Sequence, residues 1–83
     1  MSGEDEIIPY AYNNFDPNDY DSFDSWFQSV NQDFESNGRN PLDQILDPFG
    51  MDSMKEVFEA SKERSLSNRD IQKIIDVNRR SLN

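Results

Sequence analysis

The sequence contains no cysteine and no histidine. Without cysteine there is no disulfide and no thiolate metal site. Without histidine the chain lacks the most common metal ligand and the side chain that exchanges protons near neutral pH. A chain of 83 residues builds a water-excluding catalytic cleft only with difficulty, and no phosphate-binding glycine loop or paired nucleophile and base is visible. We therefore expect no enzymatic activity, no cofactor and no bound metal.

Long apolar runs are also absent. No stretch approaches the roughly 18 apolar residues that a membrane-spanning helix needs. The first eight residues, MSGEDEII, are acidic, whereas a secretory signal begins with basic and then apolar residues. We expect a cytoplasmic, viral-like protein that does not bind membranes.

Apolar residues as a class are scarce. They make up 34 % of the chain, and the mean hydropathy is −0.95. A chain of this length buries only about 60 % of the surface that its unfolded form exposes, so independent stability is marginal. The composition therefore predicts a core that is small or that depends on a partner, with part of the chain disordered.

Basic residues are almost absent from the first part of the chain. Residues 1–50 contain 11 Asp and Glu and a single base, Arg39, whereas residues 51–83 contain six acids and seven bases. An acidic surface repels nucleic acids and anionic membranes and attracts basic protein surfaces. The charge distribution predicts a basic protein partner and no direct contact with nucleic acid.

The most informative stretch is YDSFDSWFQSVNQDF, from Tyr20 to Phe34. Its apolar residues recur at steps of three and four, which places them on one face of an α-helix, and Trp26 widens that face. The face consists of Tyr20, Phe23, Trp26, Phe27, Val30 and Phe34. Each aromatic ring hides on the order of 150 to 250 Å² when buried, so we expect this face to pack against the chain itself or against another molecule.

Polar and acidic residues occupy the rest of this helix. Large rings at the centre of an interface usually carry most of its binding energy, and we predict that the six apolar residues are partner anchors. The carboxylates of Asp21, Asp24 and Asp33 would then steer the partner and set its position.

Residues 1–19 contain Pro9 and Pro17 and predict an extended, acidic, partly disordered arm ahead of a helical region spanning residues 20–83. Tyr10, Tyr12 and Phe15 are unusually large for a disordered tail. We expect this arm either to lie along a groove of the partner or to fold back on the core of the chain, and these three residues complete the predicted partner-binding set.

Capping signals predict an all-α chain of short helices near residues 19–36, 41–46, 52–64 and 68–81. The pair Asn37-Gly38 is a left-handed helix stop, and Asp47-Pro48 is expected to close the second helix. The third helix is expected to be capped by Asp52 or Ser53, with Ser53 and Glu56 spaced as a capping box, and Ser67 with Asp70 caps the fourth. No segment shows the alternation of apolar and polar residues that would indicate a β-strand.

The segment LSNRDIQKIIDVNRRSLN, from Leu66 to Asn83, is similar in pattern to the middle of the helix-turn-helix of DNA-binding regulators. The resemblance implies a turn at residues 76–78 and a recognition helix that opens with Arg79 and Arg80. A plain amphipathic helix accounts for the same residues, and the net charge of −9 opposes phosphate binding.

The leading functional hypothesis is a small acidic protein that binds a larger protein with a basic, apolar-lined surface and acts as an adaptor or inhibitor. One alternative is an acidic decoy that occupies the nucleic-acid channel of an enzyme, a composition that resembles phage-encoded inhibitors of host enzymes. A second alternative is a structural or assembly subunit of a larger particle. A DNA-binding helix-turn-helix is a distant fourth hypothesis.

Overall fold

The computed structural model describes residues 4–80, and all regular structure in that range is helical. The α-helices are α1 (Glu4–Asn14), α2 (Phe23–Ser36), α3 (Leu42–Ile45), α4 (Pro48–Ser61) and α5 (Asn68–Arg80), and a 3₁₀ turn covers Pro17–Asp19. The predicted all-α fold is confirmed. Residues 1–3 of the predicted arm, residue 81 of the last predicted helix and residues 81–83 of the helix-turn-helix segment lie outside the described residues.

The prediction of an extended arm is wrong for residues 4–14, which form α1. Pro9 lies inside this helix, where it removes a backbone hydrogen-bond donor and carries a cost of about 3 kcal/mol. Ile7, Ile8 and Ala11 are buried in the core and offset that cost. With Tyr12 they follow the i, i+1, i+4, i+5 pattern of a helix, a period that the proline obscures in the sequence.

Helix α2 begins at Phe23, four residues later than predicted. The Ser22 hydroxyl caps it by accepting a hydrogen bond from the Ser25 N–H at 3.2 Å. Asn18 and Asp19 belong to the preceding 3₁₀ turn. The predicted end is confirmed: Gly38 has a φ of +76°, and the Arg39 N–H donates to the Phe34 carbonyl at 2.9 Å.

Helix α4 begins at Pro48, with the Asp47 carboxylate accepting from the Gly50 N–H at 2.9 Å. The predicted cap at Asp52 or Ser53 is therefore wrong, because both residues lie inside α4. Asp47-Pro48 does follow the short helix α3, but it also starts the next helix, because proline is favoured in a first helical turn. Helix α4 ends at Ser61, before the predicted residue 64.

Helix α5 begins as predicted. The Ser67 hydroxyl accepts from the Asp70 N–H at 3.2 Å, and the Asp70 carboxylate accepts from the Ser67 N–H at 3.1 Å, which is a reciprocal capping box. The helix then continues without interruption to Arg80. The turn that the helix-turn-helix resemblance implies at residues 76–78 is therefore absent from the described part of the chain.

Helices α1, α4 and α5 pack against one another, and α2 adds its apolar face to the same core. The Trp26 ring lies 5.6 Å from the Phe58 ring of α4, and the Phe34 ring lies 5.7 Å from Tyr10 of α1. Within residues 6–80, Val77 is the one large apolar side chain that is mainly exposed, at 58 %. The predicted dependence on a partner to cover the aromatic face is thus not confirmed.

Candidate protein-interaction surface

Three of the six predicted aromatic-face anchors lie in the core of the protein. Trp26, Val30 and Phe34 are buried, and the Trp26 Nε1–H donates to the Phe15 carbonyl oxygen at 2.6 Å. That hydrogen bond satisfies the indole donor and connects α2 to the chain that follows α1. In this conformation the side chains of the three residues are therefore not accessible to a partner.

The residues predicted to lie in the arm are also used within the chain. The Tyr10 hydroxyl donates to the Asp33 carboxylate at 2.6 Å, which links α1 to α2. This hydrogen bond, with burial and the nearby negative charge, raises the pKa of Tyr10 above its ordinary value. The Tyr12 hydroxyl accepts from the Leu66 N–H at 2.9 Å, at the start of the α5 capping region.

Of the remaining predicted residues, Phe15 is half-buried, and the other five lie within residues 20–27. Tyr20, Phe23 and Phe27 are half-buried against the core, and the Phe23 ring lies 5.6 Å from Phe27 and 6.1 Å from Phe58. Asp21 and Asp24 are exposed and flank Phe23 in the sequence, and within residues 6–80 neither carboxylate forms an ion pair. We call these five residues, Tyr20, Asp21, Phe23, Asp24 and Phe27, the acid-flanked aromatic patch.

Two lysines of the α4 region contact this patch or the backbone next to it. Lys55 Nζ lies 5.9 Å from the centroid of the Phe23 ring. Lys62 Nζ donates to the carbonyl oxygens of Pro17 and Tyr20 at 2.8 and 2.7 Å and lies 4.6 Å from the Phe58 ring. Lys62 therefore positions the backbone that carries Tyr20 and Asp21.

Sequence reasoning missed Lys62 because its backbone partners are 42 and 45 residues away in the chain. Carbonyl groups have no residue-type signature, so no pattern in the sequence indicates this contact. The cation–π contact of Lys55 with Phe23 was missed for the same reason, because helix α4 is brought beside α2 only by the tertiary fold. The contact of Lys62 with Phe58 is local, since the two residues are four positions apart.

The described residues contain neither a ligand pocket nor a metal site. No ligand-sized pocket is found in residues 4–80, and no group of three or more carboxylates in that range is arranged to hold a metal ion. None of the described helices has both the length and the apolar character that a membrane span requires.

Comparison with known proteins adds no family to this description. No protein-family model matches the chain, and no curated protein and no solved structure matches it.

Proposed function

We propose that this protein binds a larger protein bearing a basic, apolar-lined surface, and that the acid-flanked aromatic patch makes the contact. The observation that supports this proposal is that the Phe23 and Phe27 rings are only half-buried, while Asp21 and Asp24, close to them in the sequence, are exposed. The rings offer apolar area that is already ordered, so little conformational entropy is lost on binding.

An arginine or lysine of the partner matches this arrangement. Its cation stacks on an exposed aromatic face, as Lys55 and Lys62 do within the chain, and pairs at the same time with a neighbouring carboxylate. An apolar side chain of the partner then covers the rest of the Phe27 ring. This combination of contacts requires a partner that is basic at its rim and apolar at its centre.

The test begins by capturing partners with the intact protein and identifying them by quantitative mass spectrometry. The affinity of each partner is then titrated against two variants, Phe27→Ala and the double variant Asp21→Lys/Asp24→Lys. We expect each variant to weaken binding at least tenfold, because the first removes an apolar anchor and the second reverses the charge that steers the partner.

The matched control is the double variant Glu35→Lys/Asp43→Lys. It changes the net charge by the same amount at exposed positions outside the patch. We expect it to retain most of the affinity. If this control weakened binding as much as Asp21→Lys/Asp24→Lys did, total charge and not the patch would be responsible.

The same variants separate this function from an acidic decoy. A decoy depends on its carboxylates, so it would tolerate Phe27→Ala and would lose affinity steeply as ionic strength rises. Binding through the patch is sensitive to Phe27→Ala and decreases only moderately with salt. A partner whose affinity did not change on Phe27→Ala would contradict the proposal.

A further inference from the structure

Helix α5 carries a row of cations on its solvent-facing side. Arg69, Lys73 and Arg80 are exposed and lie at i, i+4 and i+11, on the face opposite the buried Ile71 and Ile75. At about 1.5 Å of rise per residue, the first two cations are about 6 Å apart along the helix axis. We call these three residues the basic ridge.

Helix α4 carries a row of anions on its own solvent-facing side. Asp52, Glu56 and Glu59 are exposed and lie at i, i+4 and i+7, opposite the buried Met54 and Val57. The first two anions are again about 6 Å apart along the axis. We call these three residues the acidic ridge.

None of the six ridge side chains forms a hydrogen bond or an ion pair with another described residue. Other charged residues nearby do have partners, since Arg64 pairs with Asp70 at 3.4 Å and Arg79 with Asp76 at 4.0 Å. The two ridges therefore present unneutralised charge of opposite sign on two neighbouring helices.

The spacing of the two ridges is complementary when the helices run antiparallel. With Arg69 opposite Glu56, Lys73 lies opposite Asp52, so two pairs of opposite charge form together. The parallel arrangement also matches Arg69 with Asp52 and Lys73 with Glu56. It also matches Arg80 with Glu63, but it places Asp76 opposite Glu59, and like charges at that distance are unfavourable. The antiparallel arrangement avoids this repulsion and leaves Arg80 and Glu59 without an opposite charge.

We propose that a second copy of this chain occupies the basic ridge, docking through its own acidic ridge. This contact is independent of the acid-flanked aromatic patch. Because each copy carries both ridges, two copies can pair reciprocally as a closed dimer, and a head-to-tail contact can continue to further copies. The proposal gives a physical basis to an assembly role for this chain.

The net charge of −9 on each copy opposes association, and the range of this repulsion depends on salt. The Debye length is about 8 Å at physiological ionic strength and the chain measures 34 × 28 × 18 Å, so charges on the far sides of two touching copies are separated by more than one Debye length. The ridge charges, in contrast, meet at contact distance. At that ionic strength the local attraction is therefore less screened than the overall repulsion.

This difference predicts an unusual salt dependence. At about 0.01 M salt the repulsion between copies extends to about 30 Å and opposes docking, and at about 1 M salt the ridge pairs themselves are screened. Association is thus greatest between these limits. Because exposed ion pairs are individually weak, we expect a dissociation constant in the millimolar range or above.

The experiment measures the weight-average mass of the intact chain by sedimentation equilibrium at the three salt concentrations, up to millimolar protein. The variants are Arg69→Glu/Lys73→Glu and Asp52→Lys/Glu56→Lys, each checked for helical content by circular dichroism. We expect each variant alone to remain monomeric where the wild-type protein associates.

The equimolar mixture of the two variants is the decisive sample. Their net charges are −13 and −5, so the mixture has the same mean charge as the wild-type protein, −9, while each component supplies the ridge that the other lacks. We expect the mixture to recover association. A monomeric wild-type protein at all three salt concentrations, a monomeric mixture, or association that still increases at 1 M salt would each overturn the proposal.

Discussion

Helices α2 and α5 share an amphipathic design but differ in what they bury and in the charge they expose. Helix α2 buries Trp26 and shows acids to solvent, whereas α5 buries Ile71 and Ile75 and shows mainly bases. Aromatic rings are wide, so Phe23 and Phe27 extend past the edge of the core and remain half-exposed. The aliphatic side chains of α5 are narrower and leave a surface composed mainly of charge.

This comparison teaches that the two surfaces suit different kinds of contact. A patch that combines ring area with carboxylates provides both apolar area and charge to a partner. A ridge of charge alone supports only weak, salt-sensitive docking. The proposed partner contact is therefore assigned to the α2 region, and the proposed contact between copies of the chain involves α5.

The largest expected effect is on the free energy of unfolding, and it compares the buried face of α2 with that of α5. We predict that Trp26→Ala lowers the free energy of unfolding by about 3–5 kcal/mol and Ile75→Ala by about 2–5 kcal/mol, with the tryptophan variant the less stable of the two. The tryptophan variant also leaves the Phe15 carbonyl without its donor. Urea titrations followed by circular dichroism would measure both values.

Equal loss in the two variants would show that the aromatic face of α2 is no more important to the core than the aliphatic face of α5. The matched surface control is Val77→Ala, which shortens an exposed side chain on α5 and should change the free energy of unfolding by less than about 0.5 kcal/mol.

A smaller effect concerns helix α4, which contacts α5 and the rings of α2. Ser53 is buried there, and its hydroxyl has no hydrogen-bond partner in the described part of the chain. Ser53→Ala removes an unsatisfied polar group and improves helix propensity, so we predict that it stabilises the protein by about 1 kcal/mol. Thermal denaturation of the variant beside the wild-type protein would measure the change, and a destabilised variant would indicate that the hydroxyl has a partner.

The smallest effect concerns the start of helix α5 and is a dependence of stability on pH. Hydrogen bonds from the Ser67 backbone and hydroxyl, together with the Arg64 cation, lower the pKa of Asp70 below its ordinary value of about 4. The stabilisation is therefore complete above that ordinary value and is lost as the pH falls through the lower pKa of the folded state. Unfolding measured from pH 6 to pH 2 should depend less on pH in Asp70→Asn than in the wild-type protein.

Ser67→Ala is the companion variant for this measurement, because it removes one of the hydrogen bonds that lower the pKa while keeping the Asp70 charge. It should show an intermediate pH dependence. If Asp70→Asn followed the same pH dependence as the wild-type protein, the capping box would contribute nothing to acid sensitivity.

Several elements were predictable because their causes are local. The spacing of three and four residues identified α2, the positive φ of Gly38 agrees with its role as a helix stop, and the pair Ser67 and Asp70 marked the start of α5. Each signal lies within a few residues of the structure that it produces.

Other elements were missed because their causes are distant in the chain. Pro9 indicated that no helix forms there, but the burial of Ile7, Ile8 and Ala11 and the packing of α1 against α4 and α5 stabilise it. For the candidate site, the sequence indicated the rings and the carboxylates but not which rings remain at the surface. That choice depends on the position of α4, whose start at Pro48 was predicted incorrectly.

The amino-acid sequence alone thus determined the helical class, the apolar face of α2 and the separation of acidic from basic residues, because residue type and short-range spacing set these properties. Only the tertiary structure decided that Trp26, Val30 and Phe34 are core residues while Tyr20, Phe23 and Phe27 reach the surface. The physical reason is that burial depends on which helices meet, and contacts such as that of Lys62 with Pro17 join residues 45 positions apart.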